Sequence, residues 1–264
     1  MKQKSKMFSK LTEKTSSLLN SIQKRKNLIN KMLPVEILLK IFMILQPQDL
    51  KSVVLVCKRW KEVGDDPYLW MWAMVTVKKD SLEDIPSFLS TKRMRLLKTI
   101  GLRAVSNNLL QAITIHPGLR TLDMHANLHT DLSNTDPNIL ANALGRLESV
   151  SIFKAHLTKK QQDALMAKLI SGSSIKNLNI GDTDLSVLDP QIFSNAMTRV
   201  ETLGLYWTEL TKEQLTALLS KVLEGSILSN INIFTDVVVD KDLSRLVAEK
   251  IGKNNFSIRQ NFVR

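Results

Sequence analysis

The residues that could do chemistry are few. The histidines are His116, His125, His129 and His156, and Cys57 is the one cysteine. Asp123, His125, His129 and Asp131 lie close together and carry side chains that a metal could use. The apolar alternation before them predicts a strand that ends near Met124. That places His125 and His129 on no common helical face, so they read as surface histidines on a strand end and a turn. Cys57 lies inside an apolar pattern and reads as a small buried hydrophobe. The sequence has no Gly-rich phosphate loop, no nucleophile elbow and no paired CxxC motif. The expectation is a chain with no catalytic residue, no metal ligand set and no cofactor, hence not an enzyme.

What remains is binding, and binding needs apolar surface. The stretch from Leu33 to Trp70 supplies much of it. Leu33-Pro34 is extended, because a residue before proline avoids the α region. Pro34 can take the first helical position. Ile37, Leu38, Ile41, Phe42 and Leu45 then recur at helical spacing. Gln46-Pro47 ends that helix, and Pro47 can open a second with Leu50, Val53, Val54, Val56 and Cys57. Trp60 and Val63 mark a third, closed by Gly64. Pro67, Tyr68, Leu69 and Trp70 follow. Three short helices cannot bury so many large side chains among themselves, and the surplus must dock against the rest of the chain or a partner.

This stretch resembles an F-box. The likeness is carried by Leu33, Pro34, Glu36, Ile37, Leu38, Ile41, Phe42, Leu50, Val56, Cys57, Trp60, Pro67, Leu69 and Trp70, in that order. It implies a module that binds the Skp-family adaptor of an SCF-type cullin–RING ubiquitin ligase. The residues implied at the adaptor contact are Leu33, Pro34, Ile37, Leu38, Ile41 and Phe42, with Val54 and Leu55 from the second helix.

The chain carries a net charge of +12. Residues 1 to 32 hold nine Lys or Arg against one acid, Glu13, which accounts for most of it. Phe8, Leu11, Leu18, Ile22 and Ile29 can be drawn as a stripe, so this basic leader could touch nucleic acid or an anionic membrane. The favoured reading is a solvated leader. No apolar run has the length of a transmembrane helix and the N-terminus has no signal-peptide core. A single cysteine fits a reducing compartment. The expected location is cytoplasmic and/or nuclear.

Beyond Trp70 the pattern repeats. A short strand is predicted at Trp72, Met74 and Val75 to Val77, then a helical segment from Leu82 to Leu89. Six triples follow: Leu97/Ile100/Leu102, Leu119/Leu122/Met124, Leu147/Val150/Ile152, Ile175/Leu178/Ile180, Val200/Leu203/Leu205 and Leu228/Ile231/Ile233. Their middle members recur 22 to 28 residues apart. A further apolar residue follows in four of them: Leu157, Leu185, Leu210 and Val238. Each triple alternates as a strand does, and each tail has helical period, as at 161–170 and 212–223. Thr211 offers an N-cap. Such a unit cannot bury its own apolar face, but stacked copies can. The pattern resembles leucine-rich repeats of the ribonuclease-inhibitor-like kind; of the turn positions Val105, Asn127, Ala155, Thr183, Thr208 and Asp236, where the resemblance implies Asn or Cys, only Asn127 matches, so the units are degenerate. Phe256 to Ile258 suggests a last strand, with a basic tail from Arg259 to Arg264.

The expected fold class is therefore α/β. A basic leader over 1–31 and a three-helix F-box over 32–72 precede a repeat solenoid over 73–264. Outward strand positions would form rows on one face. Two rows are small and polar. The third reads Arg103, His125, Phe153, Gly181, Tyr206 and Phe234, with Trp207 adjacent. These residues, apart from Gly181, are the candidates for holding a protein substrate, since aromatics dominate binding hot spots. Trp207 and Phe234 could instead tuck into the turn layer as core. The functional expectation is a substrate adaptor of a ubiquitin ligase. The alternatives are a non-degradative interaction scaffold, or nucleic-acid or membrane association through the leader.

Overall fold

Helical spacing organises the first part of the chain and strand alternation the second. The computed structural model describes residues 33–260, without the side chains at 47, 48, 81, 125–131 and 260. The leader expected over 1–31 lies outside the described residues, as do 261–264. The chain divides into two compact units, Met1–Leu69 and Trp70–Arg264.

In the first unit the three expected helices form: α1 (Val35–Met43), α2 (Pro47–Val53) and α3 (Lys58–Gly64). A one-turn helix α4 (Pro67–Trp70) runs across the division. Pro34 stands at the N-cap of α1, one place before the expected position, with the extended backbone a capping residue adopts. Pro47 opens α2 as expected. Gly64 is the last residue of α3, with no left-handed backbone. A Cβ there would lie 2.5 Å from Val54 Cγ1, so this glycine permits close packing and does not form a left-handed cap. Leu38, Phe42, Leu50 and Val63 are buried. The Phe42 ring meets Trp60 edge-on, centroids 5.5 Å apart. Arg59 Nη2 donates to the Leu33 carbonyl and ties α3 to the start of α1.

The second unit is one sheet of eight parallel strands in chain order. They are β1 (Met74–Val77), β2 (Thr99–Leu102), β3 (Thr121–Asp131), β4 (Ser149–His156), β5 (Asn177–Gly181), β6 (Thr202–Tyr206), β7 (Asn230–Thr235) and β8 (Phe256–Gln260). Helices α5 (Ile85–Leu89), α6 (Asn107–Ile115), α7 (Pro137–Gly145), α8 (Lys159–Ser171), α9 (Pro190–Met197), α10 (Lys212–Glu224) and α11 (Lys241–Ile251) make the crossovers. The middle members of the six triples stand beside one another in register, from Ile100 through Leu122, Val150, Leu178 and Leu203 to Ile231. Val75 and Phe256 extend this row at either end. Every residue of the six triples is buried.

Three expectations are corrected. Strand β3 does not end near Met124; it runs on to Asp131, with a register shift between His125 and Thr130. Val238 is exposed and Val239 takes the buried place. The third correction is at the C-terminus, where Arg259 belongs to strand β8 and not to a tail.

The turns after β4, β5 and β6 share a device. Lys154, Asp182 and Trp207 all have left-handed backbone, with φ of 53°, 49° and 52°. Each costs about 1–3 kcal/mol in a non-glycine residue. The extra residue keeps Lys154, Asp182 and Trp207 exposed while Ala155, Thr183 and Thr208 turn inward. Strand β7 lacks it, and there Thr235 turns inward one place earlier than its counterparts. Thr183 Oγ1 donates to the Gly181 carbonyl at 3.0 Å inside this turn.

Helix starts are fixed by side chains. Asp136 and Asp189 cap α7 and α9 just before a proline, and Thr158 and Thr211 cap α8 and α10. Gln161 and Gln214 complete capping boxes at the latter two. Both glutamines are buried, and their amides also reach back to the preceding unit. Gln161 Nε2 donates to the carbonyls of Leu132 and Thr135, and Gln214 Nε2 to those of Leu185 and Leu188 at 2.8 Å. Gln214→Leu removes the amide donor to those two carbonyls and leaves the Thr211 N–H without its acceptor. It should lower stability by at least about 2 kcal/mol, read from urea unfolding, while Thr216→Ala on the exposed side of α10 should not.

His116 is a second buried polar tie. Its Nδ1 accepts from the N–H groups of Gly118 and Leu119, and its Nε2 lies 2.9 Å from the Met94 carbonyl. Arg146 donates to the carbonyls of Ile113 and His116 at the end of α6. Burial pushes the His116 pKa below its usual 6.5; Arg146 and Arg120 push the same way, and the Met94 hydrogen bond opposes them. The folded chain thus resists a proton that the unfolded chain accepts. The stability His116 contributes is present above pH 6.5 and is lost as the pH falls through the lowered folded value. The unfolding midpoint should therefore drop more between pH 7.5 and pH 5 in the wild type than in His116→Gln; equal drops would exclude this role.

Candidate functional site

Among the described residues, two surfaces with exposed apolar side chains coincide with the expected binding residues, one in each unit. The first lies on α1 and the turn after α2. The apolar residues of α1 split by face. Leu38 and Phe42 point inward and are 1% exposed, whereas Ile37 and Ile41 are about two-fifths exposed. Val35, Met43 and Ile44 extend the exposed set. Leu33 is half-buried and Pro34 exposed at the entry to the helix. Leu55 lies beyond the end of α2, in the turn that follows, and is 84% exposed; Val56 beside it is also exposed and Val54 is half-buried.

Leu38 and Phe42 therefore hold the face up from behind and do not present it. The reason is the helix period: residues four apart share one side, and the side of Leu38 and Phe42 is filled by the Phe42–Trp60 contact. Val35, Met43, Ile44 and Val56 were not among the expected contact residues. Val35 and Ile44 lie just off the stripe that the spacing emphasised. Cys57 is half-buried at the N-cap of α3, less enclosed than its apolar pattern suggested.

The second surface is the face of the sheet turned away from the helices. Strand alternation sends Phe153, Gly181, Tyr206 and Phe234 to one row there, in register across β4 to β7. Phe153 stacks on Tyr206 at 5.6 Å, across the strand that carries Gly181. A Cβ at Gly181 would fall 2.4 Å from Phe153 Cδ1, so the glycine is what lets these rings meet. Tyr206 lies 5.4 Å from Phe234 and 6.4 Å from Trp207, and Trp207 lies 5.7 Å from Phe234. Trp207 is 53% exposed, and Phe153, Tyr206 and Phe234 are half-buried. The left-handed backbone of Trp207 turns its ring outward, away from the core.

Arg259 was not anticipated here. It stands beside Phe234 in register and its guanidinium lies over that ring at 5.2 Å. The alternation of Phe256, Ser257, Ile258 and Arg259 would have revealed it had the strand been extended by one residue. Arg103 is exposed just past β2, two strands from Phe153, and is not part of the aromatic cluster. His125 stands opposite Phe153 in β3, and its side chain lies outside the described residues. Below this row, Asn179 Nδ2 donates to Ser151 Oγ and Asn232 Nδ2 to Asn230 Oδ1.

Among the described residues, no group of three or more His, Cys, Asp or Glu could hold a metal ion. The stretch from His125 to Asp131 lies outside that statement. No helix among them is long and apolar enough to cross a membrane.

Residues 31–73 match the family model described as F-box-like. Among curated proteins no match is found. The match covers helices α1 to α4 and the exposed apolar residues of α1, and it identifies residues 31–73 as an F-box-like domain.

Proposed function

We propose that this chain is a substrate-recognition subunit of an SCF-type ubiquitin ligase. Its F-box-like unit binds a Skp-family adaptor, and its strand–helix unit, a degenerate leucine-rich-repeat solenoid, holds a protein substrate. The observation that carries the reading is the exposed apolar face of α1 within an F-box-like domain. F-box domains generally bind such adaptors in cullin–RING ligases. A face of this kind in water is an interaction site awaiting cover. The repeat reading rests on the in-register buried rows and on the regular strand–helix alternation. Catalysis belongs to other subunits; this chain contributes proximity, raising the effective concentration of a substrate lysine near the ubiquitin carrier. Cytoplasm and nucleus are the compartments that fit.

Co-expression with a Skp-family adaptor and size-exclusion chromatography tests this. The two should co-elute as a stoichiometric complex. Ile41→Asp with Leu55→Asp should abolish co-elution, as should Leu33→Ala with Pro34→Ala, and the circular dichroism of the variants should remain that of the wild type. A well-folded chain that elutes alone overturns the proposal. A stable adaptor complex that recruits no cullin makes the chain a non-degradative scaffold.

A further inference from the structure

We propose that the outward row of the sheet binds an extended acidic segment of a partner protein, with an aromatic or proline anchor between its acids. This rests on reading the repeat unit as a protein-binding scaffold, and it names the class of segment that scaffold takes.

The row is ordered by chemistry. Lys78 and Arg103 stand at one end, just past β1 and β2; the aromatic cluster occupies β4 to β7; Arg259 stands at the other end on β8. It carries three cations and no acid. Cations flanking an aromatic floor complement an apolar anchor flanked by carboxylates. Among the described residues, the acids on this face include Asp123, one row down, and Asp182, which stands between Lys154 and Trp207 in the turn layer.

The geometry favours a chain laid across the strands. Strands repeat every ~4.8 Å, so the six steps from Arg103 to Arg259 span about 29 Å. An extended peptide rising ~3.3 Å per residue covers that in about nine residues. Its apolar anchor would meet Tyr206, Trp207 and Phe234, four and five strand steps from Arg103 and two and one from Arg259. Asn179 and Asn232, one row below it, carry amides that both donate and accept beside the segment. Aromatic floors suit extended and proline-rich chains, which bind with little ordering cost. Trp207, held left-handed as Lys154 and Asp182 are, has its ring on the surface where a partner can reach it.

The test is selection of a random dodecapeptide phage library on the full chain, followed by fluorescence anisotropy of the enriched peptides. Enriched sequences should carry Asp or Glu on both sides of an aromatic or proline anchor. Arg103→Glu with Arg259→Glu should weaken them about tenfold and Trp207→Ala at least about tenfold, with unfolding midpoints unchanged for the charge reversals. Raising salt should weaken binding as well. Failure to enrich, enrichment of basic or uncharged peptides, or binding indifferent to the two arginines overturns the proposal. Equal competition by oligo-dT would overturn it in favour of a general polyanion surface. Adaptor co-elution of the same preparation separates the two readings. Adaptor binding without acidic enrichment sinks this inference alone, whereas acidic enrichment without adaptor binding sinks the ligase reading alone.

Discussion

The second unit depends on one constraint: every strand must place its inward residues at the same height as its neighbour's. A parallel sheet gives the backbone no freedom to slip, because a one-residue shift would turn a buried row outward. Val75, Ile100, Leu122, Val150, Leu178, Leu203, Ile231 and Phe256 meet that condition across eight strands. The crossover lengths vary, so something other than loop length must hold the register. The buried amides of Gln161 and Gln214 do part of this. Each fixes the start of its own helix and the loop of the unit before it in one set of hydrogen bonds. Sheet height, helix start and inter-unit spacing thus become one cooperative object, as expected of a stack whose members have little stability alone.

The first unit meets a different constraint. Its helices are too short to enclose all their apolar side chains, and the sequence spends Leu38, Phe42, Leu50 and Val63 on the interior. Ile37, Ile41, Ile44 and Leu55 are left in water. Exposing one such side chain forgoes about 1.5–3 kcal/mol. A sequence that does so repeatedly on one helix and the turn beyond its neighbour leaves an apolar face that its own packing does not use, and the proposed adaptor contact rests on that face.

Much of this was legible because it follows from period. The six triples are a strand signal, and they fixed the register that the structure has. The three helices of the first unit followed from Pro34, Pro47 and the 3.6-residue recurrence. What stayed hidden has physical reasons. Splitting the α1 stripe into inner and outer residues depends on where Trp60 packs, which is a tertiary fact. A left-handed residue leaves no mark on composition when it is Lys, Asp or Trp, so the shift at Thr235 could not be read. The long β3 was missed because polar residues follow Met124, where alternation no longer carries a signal. Arg259 was read as tail because one basic residue after Ile258 resembles the basic residues that come later. The aromatic row was legible as a row, yet not as exposed, since Trp207 would serve equally well in a core.

The left-handed turns connect these two levels. In an ideal strand the residue after Tyr206 would point inward, toward the helices. The left-handed backbone at Trp207 inserts one outward residue and sets Thr208 into the interior in its place. The same insertion at Lys154 and Asp182 sends a cation and an acid outward while Ala155 and Thr183 fill the core. The device separates two requirements that a plain strand would couple. Packing is left to small inward residues that any neighbour tolerates, and the outward residue is free to be large or charged. Because the insertion occurs in three adjacent strands, the register survives it, and the sheet gains an extra outward layer beside the aromatic row. The fold can therefore vary that layer without disturbing the buried rows beneath it, which is the property a surface needs if its partner is to be chosen by side chains alone.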